Sequence, residues 1–242
     1  MDLPEKFRIL PCGDAALTAE FGDTVDPDLN ARVLALDAAM AADPPPGLVE
    51  AIPTYRALFV QYDPTAIRFA DLARRLRVLA EGYQAKPQAQ RCWRVPVVYG
   101  GEHGWDLAEV AQRHGLSTQE VIARHSGVEY RVYMIGFMPG YAYLGGLDPS
   151  IATPRRDNPR LETPAGAVMI GGVQAGIQCL AAPSGWHMLG RTPFRNFHPR
   201  RDPMFLIAPG DAVRFVAIAA GEWDALDRAA ERGEPVAELL AS

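Results

Sequence analysis

The chain has 242 residues, of which 22% are charged, and its formal net charge is −5. This length allows one large or two small domains, and the net negative charge argues against general binding to nucleic acid. The sequence contains no apolar stretch of about eighteen residues and no N-terminal signal-peptide pattern. We therefore expect a globular, cytoplasmic protein with no membrane segment.

Two sparse residue types exclude several kinds of chemistry. Cys12, Cys92 and Cys179 are widely spaced and form no CxxC pair, which favours reduced thiols over a disulfide framework or a zinc site. Lys6 and Lys86 are the only lysines, so the centre of the chain offers no P-loop, Schiff-base or biotin-carrier lysine. We expect no metal, no biotin and no ATP-binding motif on this chain.

Residues 1–86 predict a small α+β domain, with two helices on an antiparallel sheet. Each helix follows an Asp-Pro pair and carries an apolar stripe on one face. Gln84–Gln90 is polar and contains Pro87, which is typical of a domain boundary. The predicted strands lie within 7–22, at Leu48–Pro53 and at Arg56–Tyr62. The stripes are Leu29, Val33, Leu36 and Met40 in the first helix and Leu72, Leu76, Leu79 and Tyr83 in the second.

Residues 91–242 predict a second, mainly-β domain. The strand Cys92–Tyr99 precedes two short helices, Leu107–His114 and one that begins after Ser117, where Glu120 completes a capping box. Short strands with Gly and Pro turns follow and favour a compact β-barrel or closed sandwich, with a last helix at Trp223–Arg232. The predicted short strands are Tyr130–Phe137, Ala167–Gly171, Gly176–Leu180, His187–Gly190, Met204–Ile207 and Ala212–Ala217.

The middle of the chain, residues 136–191, is where we expect a ligand site. It combines dense Gly and Pro turns, which shape tight loops between short strands, with an excess of arginine over acidic residues. Gln174 lies in a Gly-rich stretch and can read an amide or a carboxylate, although no GxGxxG order indicates a dinucleotide. Tyr141 and Trp186 either pack under a ligand ring or have a structural role.

An arginine cluster is the most basic part of this stretch. Arg155, Arg156 and Arg160 lie between prolines that disfavour a helix, and arginine can bind a carboxylate or a phosphate through two hydrogen bonds. Alternatively, Asp157 and Glu162 pair with these arginines on a solvated loop. The residues alone leave both interpretations open.

Motifs for nucleophilic or metal chemistry are weak. No GxSxG elbow occurs, and Ser126 is merely next to His125 in sequence, where a helix-capping role for the histidine is the stronger interpretation. His103, His114 and His125 recur at regular spacing, but glycines interrupt any helix that would align them. We therefore assign no catalytic residue and no metal ligand.

Short motifs in order along nearly the whole chain resemble those of one family. They are Pro11-Cys12-Gly13-Asp14, Tyr99-Gly100-Gly101-Glu102, Gly136–Leu144, Pro154-Arg155-Arg156, Pro159-Arg160, Pro164-Ala165-Gly166, Gln174-Ala175-Gly176-Ile177, Gly185-Trp186 and Gly190-Arg191-Thr192-Pro193. Together they resemble the family of 5-oxoprolinase B subunits, also called allophanate hydrolase subunit 1 or the KipI family. The family usually has Phe at Tyr141, Thr at Ala175, Tyr-Pro at Gln178-Cys179 and Gly at Ser184.

The resemblance implies an α+β N-terminal domain followed by a mainly-β, cyclophilin-like barrel domain. It also implies a B-type subunit that works with a C-type paralogue and a larger A-type subunit in the ATP-dependent opening of 5-oxoproline to glutamate. ATP would then be used by the complex, because this chain has no ATP motif. The barrel would form half of a composite site with the C-type subunit.

The residues and the resemblance together predict a binding site for a small carboxylate or amide substrate. Its arginines would hold the anionic group, its glutamine and histidine would supply neutral hydrogen bonds, and its tyrosine would pack under the ligand. The predicted set is Arg155, Arg160, Gln174, His187, Arg191 and Tyr141.

Two other functions stay open at this point. A Bacillus-type relative inhibits a sensor histidine kinase, and such a role would need no catalytic residue. The same kinds of module form the carboxyltransferase part of urea carboxylase. A protein of that kind would act on urea or a small amide, beside a biotin-dependent carboxylase.

Overall fold

The computed structural model of the protein describes residues 3–82 and 91–240. The chain divides into two compact units, residues 1–88 and 89–242. The predicted domain boundary at Gln84–Gln90 and Tyr83 of the predicted second helix lie outside the described residues, so that boundary stays a prediction. Every helix among the described residues is too short or too polar to span a bilayer.

The described part of the first unit contains one sheet and two helices. Its strands pair antiparallel, and from one edge to the other they follow the order first, second, fourth, third. In chain order the elements are β1 (Arg8–Pro11), β2 (Ala16–Glu20), α1 (Pro27–Ala42), β3 (Leu48–Pro53), β4 (Ala57–Tyr62) and α2 (Phe69–Glu81).

Helix α1 has the start and the buried face that the sequence predicts. The Asp26 carboxylate accepts hydrogen bonds from the amides of Asp28 and Leu29, which satisfies donors that a first helical turn leaves free. The stripes of both helices lie with the sheet in one apolar core, because burial of apolar surface drives folding. The fully buried stripe residues are Val33, Leu36, Met40, Leu72 and Leu76.

The second unit is mainly β. The capping box predicted before its second helix is present, because Ser117 and Glu120 each accept a hydrogen bond from the other's amide. The elements are β5 (Cys92–Tyr99), α3 (Leu107–His114), α4 (Thr118–Ser126), β6 (Tyr130–Ile135), β7 (Ala142–Gly145), β8 (Arg160–Thr163), β9 (Ala167–Gly171), β10 (Gln174–Ile177), β11 (Ala182–Ser184), β12 (His187–Arg191), β13 (Ala212–Ala217), α5 (Trp223–Glu231) and β14 (Glu238–Leu240).

Within residues 91–240, seven strands close into a barrel and surround an apolar core. Their order is β12-β9-β10-β7-β6-β13-β5, and β5 then pairs with β12 through Tyr99 opposite Gly190 and Val98 opposite Arg191. Strands β5 and β13 are parallel and the other barrel neighbours are antiparallel. The compact barrel that the sequence predicts is therefore confirmed.

One strand prediction in this unit is wrong. Met204–Ile207 forms no strand, because the Asn196 side chain accepts hydrogen bonds from the amides of Leu206 and Ile207. These donors are satisfied without a partner strand. The sequence also failed to predict β7, β8, β11 and β14, which have three or four residues each and are too short to show a periodic pattern.

His125 is a buried core residue and not a helix cap. Its Nδ1 lies 2.8 Å from the Tyr99 hydroxyl, and its ring stacks on Phe215 with centroids 4.8 Å apart. The neighbouring Ser126 hydroxyl donates to the Ile122 carbonyl, so the two residues form no dyad. Burial lowers the pKa of His125 to about 3, because the charged ring would lose its hydration.

His125 should make the protein less stable in acid. As the pH falls below the ordinary histidine pKa of 6.5, His125 binds a proton in the unfolded chain, whereas in the folded chain it binds one only near pH 3. The contribution of His125 to the free energy of unfolding is therefore fully present above pH 6.5. It decreases towards pH 3 by about 1.4 kcal/mol per pH unit. His125→Gln keeps a polar partner for Tyr99 but does not titrate. Urea unfolding at about pH 7.5 and about pH 4.5 should show a smaller loss in this variant than in the wild type; an equal loss would refute the assignment.

Candidate functional site

A pocket of about 370 Å³ opens on the surface of the second unit. Its walls come from the loop after β6, from β7, from the loop before β8 and from β11 with the residues that follow it. The volume suits a small molecule. The lining includes Phe137, Tyr141, Tyr143, Arg155, Arg156 and Trp186.

Aromatic side chains form one wall of this pocket. Tyr141 and Tyr143 have ring centroids 4.6 Å apart, and Tyr143 lies 6.2 Å from Trp186. Two glycines make room for this wall: a Cβ at Gly171 would come 2.6 Å from the Trp186 ring, and one at Gly176 would come 2.5 Å from the Tyr141 hydroxyl. The three rings are inclined to one another by 53–88°, and together they offer an aromatic surface against which a small ring can pack.

Phe137 stands at the rim of the pocket in a strained conformation. Its φ is +67° and 67% of the residue is exposed. A side chain with a Cβ is disfavoured in this left-handed region, and the exposed ring gains little from burial. Its ring meets Tyr141 edge-on at 5.9 Å. Strain at a pocket rim is typical of a residue that is kept for binding and not for stability.

Arg155 lies over the aromatic wall. Its guanidinium carbon is 5.8 Å from the Trp186 ring centroid, its side chain is exposed, and no carboxylate in the part of the chain that the structure describes pairs with it. Burial raises the pKa of the nearby Tyr143, although Arg155 acts in the opposite direction, so the phenol keeps its proton at neutral pH. Among the described lining residues, Arg155 is therefore the arginine without a carboxylate partner, and together with the aromatic surface it suits a carboxylate on a small ring.

Asp106 pairs with two other arginines of the cluster. Arg160 donates to both carboxylate oxygens at 2.6 and 2.7 Å, and Arg156 donates to the carboxylate at 3.0 Å. Asp106 is only 1% exposed. Burial alone would raise the pKa of Asp106, but hydrogen bonds from Arg160 and the Met188 amide and the two arginine charges hold it below its ordinary value. The carboxylate is therefore ionised at neutral pH.

The acidic partners are not those that the sequence suggests. Asp157 and Glu162 are close in sequence but exposed, whereas Arg156 and Arg160 pair with acidic residues at the start of α3. Asp106 directly precedes that helix, as an N-cap would, yet its side chain makes no capping hydrogen bond. Its arginine partners lie 50 and 54 residues further along the chain, so no local pattern points to the pair.

His187 holds the arginine loop, residues 154–160, in place. It is 1% exposed, and its Nε2 donates to the Pro154 carbonyl at 2.9 Å. The amide of Arg156 donates to the Gly185 carbonyl at 2.7 Å. The backbone is thus held on both sides of Arg155.

A cation is a less suitable occupant of this region than the arginines. One ligand atom each from Asp106, Glu109 and His187 lie within 4.8 Å of one another, close enough to share a metal ion. However, both oxygens of Asp106 already accept hydrogen bonds from arginine, and the guanidinium charges would repel a cation. We interpret the cluster as the support of the arginine loop.

The structure brings together four of the predicted substrate-binding residues. Arg155 and Tyr141 line the pocket. Arg160 and His187 lie behind it and hold the loop that carries Arg155. Their roles in substrate binding stay predictions.

The other two predicted residues lie elsewhere in the barrel. Gln174 is half-buried at the start of β10 and does not line the pocket. Arg191 donates to the Ala165 carbonyl at 3.0 and 3.2 Å and stacks on Trp223 at 4.6 Å. It therefore connects the barrel to α5.

Sequence reasoning missed several residues of the pocket, among them Tyr143 and Phe137. Gln178 lies in the wall with its amide bonded to Thr163, and the unusual Gln178-Cys179 pair in the family pattern was the signal that pointed there. The Ser184 hydroxyl, also in the wall, is engaged with the Met169 sulfur and the Trp186 amide. This hydroxyl is not activated as a nucleophile, so the pocket residues are suited to binding.

Comparison with known proteins places the chain among several relatives. The family model of the carboxyltransferase domain, subdomain C and D, matches residues 7–207. The 5-oxoprolinase B subunit of Bacillus subtilis (strain 168) is 38% identical over 234 residues, which cover 91% of this chain and 96% of the relative. The 5-oxoprolinase B subunit of Escherichia coli O157:H7 is 46% identical over 171 residues, which cover 71% and 78%.

Solved structures show the same fold within longer chains. The crystal structure of TTHA0988 has a TM-score of 0.76 and 39% identity, and the match covers 85% of this chain and 40% of that one. The urea amidolyase of K. lactis has a TM-score of 0.82 at 19% identity, and the match covers 99% of this chain and 16% of that one. At this low identity, the second likeness concerns the fold alone.

Phe137→Gly and Phe137→Ala should differ in stability although both remove the ring. Gly accepts a φ near +67°, whereas Ala keeps the Cβ that causes the strain, so the Gly variant should be about 1 kcal/mol more stable than the Ala variant. Chemical unfolding of the two variants measures the difference. Equal stabilities would mean that the backbone at Phe137 is not strained.

Proposed function

The chain belongs to the family of 5-oxoprolinase B subunits, and we propose that it fills this role in a 5-oxoprolinase-type complex. In this proposal the complex opens the lactam ring of 5-oxoproline to glutamate and uses ATP to do so. The observation that carries the proposal is the similarity to the Bacillus subtilis relative, which extends over 96% of that protein.

The chain would act together with a C-type paralogue and an A-type subunit. The match to only 40% of the TTHA0988 chain supports a partner module, because there a module of this kind is part of a longer chain. The pocket supplies binding groups and no activated nucleophile among its described lining residues, so it suits one wall of a composite site. A cyclophilin-like barrel and a cytoplasmic location belong to the same proposal.

The pocket chemistry fits 5-oxoproline, which is a small lactam ring with one carboxylate. Arg155 would bind the carboxylate, and the ring would lie on the aromatic wall near Trp186. Tyr143 keeps its proton at neutral pH and can donate a hydrogen bond to the lactam oxygen. Activation of that oxygen by ATP would take place where the partner subunits complete the site.

A second candidate is a carboxyltransferase subunit that acts on urea or a small amide. The description of the matching family model favours it, and the fold likeness to urea amidolyase is compatible with it. This candidate requires a biotin-dependent carboxylase as partner, so avidin should block the reaction of the assembled complex. Avidin should have no effect on a 5-oxoprolinase.

The third candidate, an inhibitor of a sensor histidine kinase, is not favoured by any specific observation. It predicts that the purified chain alone lowers kinase autophosphorylation.

Arg155→Gln should weaken the binding of L-5-oxoproline by about tenfold or more, because a charge-assisted contact is lost. 2-Pyrrolidinone has the same lactam ring without the carboxylate, and it should bind the wild type and the variant equally weakly. Isothermal titration of the full chain with each compound measures both affinities. In the assembled complex, the same variant should raise the KM for 5-oxoproline in an assay of ATP-dependent glutamate release.

Arg214→Gln is the matched control. Arg214 is an exposed arginine that pairs with Glu129 and does not line the pocket, so its loss should leave both affinities unchanged. Undiminished affinity of Arg155→Gln for L-5-oxoproline would contradict the role of Arg155. A complex that releases no glutamate would contradict the proposed activity itself.

A further inference from the structure

We propose that Asp106 is a positioning residue that makes the pocket selective for a ligand with a single carboxylate. Asp106 binds Arg160 through both carboxylate oxygens and shares Arg156 with Glu109. Arg155 is then the guanidinium of this loop without a carboxylate partner among the described residues. The inference rests on the proposed function, and it concerns which class of anion that same pocket accepts.

Asp106 is anchored to the barrel independently of the arginines. Its amide donates to the Met188 carbonyl at 3.0 Å, and its carboxylate accepts the Met188 amide at 2.7 Å. Met188 lies in β12 and is fully buried. The carboxylate therefore has a fixed position, and the flexible arginine side chains adjust to it.

The arginine contacts use both oxygens of this carboxylate. Arg160 binds them with two nitrogen atoms, and its guanidinium carbon also lies 5.3 Å from the Trp105 ring centroid. Arg156 adds a bond to one oxygen and a second bond to Glu109 at 3.1 Å. Charge-assisted bonds with this geometry orient a guanidinium more strongly than single contacts do.

These contacts hold the loop between Pro154 and Arg160 in place around Arg155. His187 binds the carbonyl just before Arg155, and Gly185 binds the amide just after it. The ion pairs of Asp106 with Arg156 and Arg160 then hold the rest of the loop. Arg155 keeps an exposed side chain above Trp186 with no carboxylate partner among the residues that the structure describes.

The distribution of charge determines which anion fits. If all three guanidinium groups faced the pocket, a ligand with two negative charges would be favoured, because attraction grows with the number of opposite charges. With two of them neutralised by acidic residues, one positive charge remains for one carboxylate. A monocarboxylate on a small ring therefore matches the pocket better than a dicarboxylate does.

The test compares two ligands on the full chain by isothermal titration: L-5-oxoproline with one carboxylate and glutarate with two. The wild type should prefer L-5-oxoproline. Asp106→Asn should weaken the binding of L-5-oxoproline by about tenfold, while glutarate binds as well as before or better. The ratio of the two affinities should therefore shift towards glutarate by about tenfold or more. Glu129→Gln is the control, since this exposed residue pairs with Arg214 and does not line the pocket. The ligand preference of this variant should stay within about twofold of the wild type.

A second variant guards against misfolding. Asp106→Asn leaves two arginines without their buried partner, whereas Asp106→Asn combined with Arg160→Gln removes both members of the main pair. The double variant has the same net charge at the loop as the wild type, so its ligand preference should lie closer to that of the wild type than to that of Asp106→Asn. Amide hydrogen exchange without ligand should show faster exchange at 154–160 in both variants, and no change there in Glu129→Gln.

Two results would overturn the inference. The first is an equal weakening of the binding of both ligands in Asp106→Asn, which would mean a structural role only. The second is unchanged exchange at 154–160. If the wild type binds no L-5-oxoproline, the assignment of this ligand to the pocket fails instead, and the exchange measurement, which needs no ligand, still decides whether Asp106 holds the loop.

Discussion

Closure of the barrel by β5 and β12 is the constraint on which the second unit depends. At the meeting point lies Gly190, where a Cβ would come 2.6 Å from the Val98 carbonyl oxygen, so a larger residue would push the two strands apart. Because a closed barrel has no free edges, strands of only four or five residues can be stable in it. The same closure puts Met188 beside the start of α3, where Asp106 binds it.

The buried carboxylate of Asp106 determines how the arginines are arranged at the pocket. An unpaired carboxylate at the position of Asp106 would be costly, and the arginine pairs compensate that cost without adding much net stability. Their effect is positional: they draw two basic side chains away from solvent and leave Arg155 over the aromatic wall. The strained backbone of Phe137, another lining residue, supports the same interpretation, because strain persists where the surroundings impose it.

The pocket has the character of a site for binding, and this suits a protein that works within an assembly. Relatives with this fold carry different names, from the B subunit of 5-oxoprolinase to urea amidolyase, and one fold can support several chemistries. What distinguishes them must lie in particular side chains. In this chain the Gln178 amide closes one wall by bonding to Thr163, and Arg155 supplies the charge.

The sequence by itself determined the local elements of this protein. The bounds of β5, α3 and β9, the capping box of α4 and the apolar face of α1 all follow from residues within a few positions of one another, because caps, turns and periodic burial act over that range. Only the tertiary structure decided which side chains meet. Asp106 finds its arginines 50 and 54 residues away, and Asn196 takes the amides that a strand at Met204–Ile207 would have needed. Such pairings depend on which segments the closed barrel brings together, and no local pattern in the chain records them.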